Sequence, residues 1–214
     1  MSLTAQLQTQ KTQFLAQVPT ETAGTMGQAT QDLIQSGIVD RSIAVGQAAP
    51  NFKLPNATGH QIELQALLQQ GPVVISFYRG QWCPYCNLEL RALQQVLPEI
   101  QALGATLVAI SPQTPDHSLS TVEKNELTFE VLSDVGNQVA RDYGLVFQLP
   151  EQLRPIYQGF GIDLPAHNGD RTFELPIPAT YVIGTHGLVI HGFVDPDYTQ
   201  RLEPEEILNA LQSL

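Results

Sequence analysis

Pro72-Val73-Val74-Ile75-Ser76-Phe77 is a short apolar run rich in β-branched residues, and without alternation it reads as a strand buried on both faces. It leads through Tyr78-Arg79-Gly80-Gln81-Trp82 into Cys83-Pro84-Tyr85-Cys86, and then into Asn87-Leu88-Glu89-Leu90-Arg91-Ala92-Leu93, a stretch of good helix formers. Gly104 ends that helix, and residues 105–110 form a second buried run. Strand, helix and strand in this order make a right-handed crossover between two parallel neighbours, which commits the chain to an open α/β sheet. Sites in such sheets lie at the carboxyl ends of the strands. The chain's only two cysteines stand there, where strand turns into helix.

That position favours thiol chemistry. Free N–H groups at a helix start stabilise a thiolate, a Cys-x-x-Cys neighbour can donate to it, and Arg79 adds a nearby cation. Positions 83, 86, 90, 93, 97 and 100 hold Cys83, Cys86, Leu90, Leu93, Leu97 and Ile100, one helical stripe whose leucines face the core. On this reading Cys86 lies one turn inside the stripe and Cys83 stands at its open end, so Cys83 is expected to attack and Cys86 to resolve. Three blander readings compete with it. Buried inert cysteines fit poorly beside Trp, Pro and Arg at such a junction. A zinc site lacks two further ligands, the five histidines being scattered. A structural disulfide framework needs more than two cysteines. No metal or other cofactor is expected.

These residues resemble the AhpC/TSA group, the peroxiredoxins and the peroxiredoxin-like proteins of the thioredoxin fold. Trp82-Cys83-x-x-Cys86 is similar to thioredoxin, Cys83-Pro84-Tyr85-Cys86 to glutaredoxin, and the flanking Phe77-Tyr78 and Glu89-Leu90 to the frame around the peroxidatic cysteine of peroxiredoxins. Residues 46–54, Gly-Gln-Ala-Ala-Pro-Asn-Phe-Lys-Leu, resemble the opening loop of that family. In its register Cys86 falls on the peroxidatic position and Cys83 replaces the peroxide-binding threonine. Arg79 and Gly80 occupy the vicinity of the family's missing proline. Ile177-Pro178 is similar to the Ile/Val-Pro step that in thioredoxin-fold proteins is cis and faces the cysteines, which implies open Ile177 backbone groups for an extended substrate. The family's activating arginine lies near that strand start, where this chain has Pro178; Arg171 and Arg201 are the weak substitutes.

The resemblance thus implies a thioredoxin-like α/β domain over residues 46–214, with a mixed central sheet flanked by helices. It implies a thiol-dependent antioxidant oxidoreductase cycling Cys83 and Cys86 between dithiol and disulfide, with Tyr78, Arg79, Trp82, Pro84, Ile177 and Pro178 in support. The substrate is a peroxide or a protein disulfide, and the reductant a dithiol of thioredoxin, glutaredoxin or glutathione type. The rival is a non-catalytic interaction module whose thiols sense redox state.

Residues 1–40 differ in texture. Leu3, Leu7, Phe14, Leu15 and Val18 recur at helical spacing, Pro19 breaks the pattern, and Met26, Ala29, Leu33 and Ile34 make a second stripe that Gly37 can end. Two short helices cannot bury both stripes alone. They are expected to pack on their own domain or, equally, on a second subunit as a homodimer. From residue 145 to 178 prolines and glycines interleave, and the stretch is expected to form either a surface insertion or one wall of the thiol cleft. Residues 179–183 and 188–191 flank a Gly184-Thr185-His186-Gly187 turn and read as a hairpin.

The net charge of −11 argues against nucleic acid and anionic membrane surfaces, both of which call for basic patches. No apolar run approaches the roughly 18 residues of a spanning helix. Met1 to Gln10 carry neither basic residue nor apolar core of a secretory signal, so a reducing cytoplasm is the expected location.

Overall fold

The computed structural model describes residues 1–214. Two N-terminal helices, α1 (Leu3–Gln17) and α2 (Thr20–Gln35), precede a small hairpin of β1 (Lys53–Pro55) and β2 (Gln61–Glu63), and a short α3 (Leu64–Leu68). Then come β3 (Val73–Phe77), α4 (Pro84–Ala102), β4 (Thr106–Ser111), α5 (Pro115–Asn125), β5 (Glu130–Ser133) and α6 (Gln138–Asp142). Residues 145–178, which looked irregular, hold β6 (Val146–Gln148), α7 (Arg154–Gly159), α8 (Leu164–Asn168) and β7 (Glu174–Pro176). The hairpin of β8 (Ala179–Ile183) and β9 (Val189–Val194) and a last helix, α9 (Pro204–Gln212), complete the chain.

The five long strands form one mixed sheet in the order β5-β4-β3-β8-β9. β3 is central, every residue buried, parallel to β4 (Ile75 opposite Val108) and antiparallel to β8 (Ile75 opposite Tyr181). Alternation along β3 sorts the two layers: Val74 packs toward α4 and α9 with Leu90, Leu93 and Ile207, while Val73, Ile75 and Phe77 pack toward Tyr143 and Leu145 on the other face. α4 runs unbroken through Pro98. This is the mixed α/β, thioredoxin-like architecture with an added N-terminal helix pair.

That helix pair lies on its own domain. Leu3 and Leu7 join the core beside α4, and Met26 and Ala29 close a third cluster with Leu149, Leu153 and Tyr157. The start of α1 is held from the far end of the chain, where the Glu203 carboxylate accepts from the N–H groups of Leu3 (3.1 Å) and Thr4 (2.6 Å). Leu15 and Ile34 stay exposed. No helix is long and apolar enough to cross a membrane.

The geometry of the Ile177–Pro178 step, open in the sequence, is fixed by the backbone. No peptide bond is cis, so the Ile177–Pro178 step is trans. Ile177 N–H donates to Leu145 O at 2.9 Å, continuing the β6–β7 pairing, and this keeps the segment extended and its amide occupied.

Candidate active site

Beyond the end of β3, Tyr78 N–H still donates to Ile110 O (3.0 Å), and the chain then turns through Gly80. A side chain at Gly80 would have to fit where its Cβ comes 2.3 Å from Trp82 Nε1 and 3.0 Å from Gln113 Oε1, in a backbone with φ of +153°. Gln113 Oε1 accepts from Gln81 N–H (2.8 Å) and Gln113 Nε2 donates to Thr121 Oγ1 (3.0 Å), so one buried amide fixes the turn. Cys83 is the N-cap of α4 with Pro84 in its first turn, where a missing N–H leaves nothing unsatisfied. Cys86 N–H donates to Cys83 Sγ at 3.4 Å.

The expectation that Cys83 stands open to solvent does not hold: it is 2% exposed and Cys86 0%. The residues covering the helix mouth come from elements remote in sequence. Phe14 of α1, Met26 of α2, and Tyr157 and Phe160 at the end of α7 line, with Cys83 and Trp82, a cavity of about 60 Å³. A second cavity, of about 180 Å³, shares Met26, Arg79, Tyr157 and Tyr198 with the first and reaches Ile177 and Pro178. The loosely patterned region therefore does wall the thiol site, joined by the N-terminal helices.

Two buried arginines flank the sulfurs. Arg201, from the segment between β9 and α9, donates from Nη2 to Cys86 Sγ (3.3 Å) and from Nε to the Glu89 carboxylate (2.6 Å). Its Nη1 donates to the carbonyls of Tyr198 and, at 2.7 Å, Gln200, so the whole fork is fixed. Arg79 lies within 5.0 Å of the Trp82 ring centre, 5.7 Å of Tyr157 and 4.4 Å of Tyr198, and donates to the Tyr157 hydroxyl. Arg171 is exposed and has no part in this.

The charges follow. Burial pushes the Cys86 thiol up, but the hydrogen bond from Cys83, the Arg201 cation, the Arg79 backbone N–H and the Arg79 charge together outweigh it and bring Cys86 down to about 5. Cys83 goes up, through burial and then through the hydrogen bond to Cys86 that holds its proton in place. Burial raises Glu89 to about 7, opposed by Arg201 and assisted by the negative Cys86. The opposite shifts of the two thiols favour a negative charge on the inner sulfur.

Among the supporting residues, Tyr78 is buried with its hydroxyl 3.5 Å from Thr121 Oγ1 and 3.4 Å from Gln113 Nε2, hydrogen-bonded to neither sulfur. Trp82 stacks edge-on to Tyr157. Glu89 enters the sequence argument only as part of a frame, while Tyr157, Tyr198 and Gln113 do not enter it at all. No group of three His, Cys, Asp or Glu gathers that could hold a metal ion.

A family model described as "AhpC/TSA family" matches residues 45–191. Peroxiredoxin Q, chloroplastic, of Populus jackii is 30% identical over 173 residues, 79% of this chain and 68% of that protein. Thiol-disulfide oxidoreductase ResA of Bacillus cereus is 27% identical over 108 residues, 50% of this chain and 61% of that one. Among solved structures, Peroxidoxin BcpB from Mycobacterium tuberculosis superposes with a TM-score of 0.63 at 23% identity, over 80% of this chain and 98% of that one, a likeness of fold.

Proposed function

Since the chain belongs to the AhpC/TSA family, we propose that its Cys83-Pro84-Tyr85-Cys86 motif is a peroxide-reducing centre in which Cys86 attacks and Cys83 resolves. The chain is a peroxiredoxin-like, thiol-dependent peroxidase; the roles of the two sulfurs are our reading. The observation that carries them is the contact of Arg201 Nη2 with Cys86 Sγ at 3.3 Å, a fixed cation on the inner sulfur and not on the outer one. The order is the reverse of the one read from the helix stripe, because charge and not position along the helix selects the nucleophile.

The Cys86 thiolate attacks the terminal oxygen of the hydroperoxide, the O–O bond breaks, and sulfenic acid and an alkoxide or hydroxide form; the latter takes a proton to leave as alcohol or water. The Cys83 thiol then attacks the sulfenic sulfur, giving the Cys83–Cys86 disulfide and a second water. A dithiol reductant of thioredoxin type returns two electrons and two protons by exchange, which suits a reducing compartment such as the cytoplasm. Glutaredoxin- or glutathione-type reductants fit the same chemistry.

Burial favours a small substrate. With both sulfurs at most 2% exposed, a water-sized peroxide reaches them with far less opening than a protein disulfide needs. Stopped-flow consumption of hydrogen peroxide and an alkyl hydroperoxide tests this. Cys86→Ser should consume nothing, and Cys83→Ser one equivalent, leaving a dimedone-reactive sulfenate. Turnover surviving in Cys86→Ser, or insulin-disulfide reduction faster than peroxide reduction in the wild type, would refute the reading.

A further inference from the structure

Arg79 is a buried cation that pairs with no carboxylate; the only negative charge it faces is that of the thiol pair. Its side chain donates to a neutral tyrosine, and its buried Nε has no partner. Arg201 differs, being paired with Glu89. Arg79 also lines the cavity of about 180 Å³, whose remaining wall is largely apolar: Met26, Ala29 and Leu33 of α2 face Leu149 and Leu153. Polar groups of that wall include Asp32, which is exposed and accepts from Gln28 Nε2 at 2.8 Å.

A largely apolar cavity with one buried guanidinium that no carboxylate neutralises, its one acidic neighbour Asp32 being exposed, suits a ligand with an apolar body and a single anionic group. Size narrows the class. Drug-sized ligands occupy roughly 300 Å³ or more, while a dry cavity of about 150 Å³ takes a molecule the size of benzene. We propose that this cavity binds a small apolar monocarboxylate of about six to eight carbons, its carboxylate paired with Arg79 and its hydrocarbon against α2. Arg79 also faces the charge on the thiol pair, which disulfide formation removes. The carboxylate therefore binds the oxidised protein more tightly than the reduced one, and by reciprocity makes the disulfide harder to reduce. This second step rests on reading the reduced pair as a thiolate; the cavity and its cation do not.

Calorimetric titration of the full chain with hexanoate, and with hexan-1-ol as the uncharged match, tests the site in both redox forms. Hexanoate should bind at one site at least tenfold more tightly than hexanol, and about threefold more tightly to the disulfide form. Ala29→Met, which extends an apolar side chain into the cavity, should weaken hexanoate at least tenfold while peroxide consumption persists. Equal affinity for acid and alcohol, or hexanoate binding unchanged in Ala29→Met, overturns the site; should that variant not fold, the ligand pair on the wild type decides alone. Acid preferred over alcohol but without redox preference supports the site and overturns its link to the thiolate. Absorbance of the thiolate at 240 nm, followed separately, shows whether the reading of Cys86 itself has failed.

Discussion

Arg201 reaches Cys86 across 115 residues of chain and is fixed there by Glu89 and two carbonyls. Removing it has two separable effects. Arg201→Gln leaves Glu89 buried without its cation, a loss of about 3–5 kcal/mol in urea unfolding, and frees Cys86 to titrate nearer an ordinary thiol. The double variant Glu89→Gln/Arg201→Gln should recover much of the stability but none of the acidity of Cys86, read as thiolate absorbance against pH. A double variant in which both recover would show that Arg201 acts on Cys86 only through the fold. Gly80 carries a second prediction: in Gly80→Ala the new Cβ meets Trp82 and Gln113 Oε1, so the indole must move away from Arg79. Altered Trp82 fluorescence with slowed peroxide consumption is the expected result, and unchanged emission would argue against the crowding. Arg201 was legible only as a weak candidate, because nothing local to residue 201 reveals a sulfur beside it. The cysteines themselves were plain, since a strand-to-helix junction is a local pattern.

The elements divide along the same line. β3, β4 and β8 were legible as continuous apolar, β-branched runs bounded by turn residues, and α4 as a long stripe at helical period. α7, α8, β6 and β7 have three to six residues each, too short for periodicity, and form because they pack: Leu149, Leu153, Tyr157 and Leu164 join Met26 and Ala29 of α2. The burial of Cys83 follows from that packing, which is why a reading of the α4 stripe alone exposed it. α1 depends equally on distant parts, its first amides being bound by Glu203. Glu203→Ala should therefore cost about 1 kcal/mol, as loss of a helix cap does. It should also speed limited proteolysis between residues 3 and 17. A variant with faster unfolding but no new cleavage in α1 would mean that the carboxylate serves α9 instead.

For the molecule as a whole, the thiolate should appear as a dependence of stability on pH. Cys86 titrates near 5 in the folded chain against an ordinary 9.0, so between those limits the unfolded chain binds the extra proton and stability rises with pH. Glu89 acts oppositely: its folded value near 7 exceeds an ordinary 4.5, so its contribution falls as pH rises from 4.5 to 7. From pH 5 to 7 the two slopes offset each other. From pH 7 to about 8 the Cys86 contribution dominates, with a limiting slope of about 1.4 kcal/mol per pH unit. His167, lowered from 6.5 by burial and by His117, adds a rise only below that window. Cys83, raised above 9.0, subtracts as pH approaches 9.0, where the unfolded thiol ionises. Urea midpoints of the reduced protein at pH 7, 7.5 and 8 should climb, whereas those of Cys86→Ser should stay level, because serine carries no charge to stabilise. Two curves that run parallel across this window would mean that the folded protein places no charge on Cys86, and the peroxidatic role would have to move to Cys83.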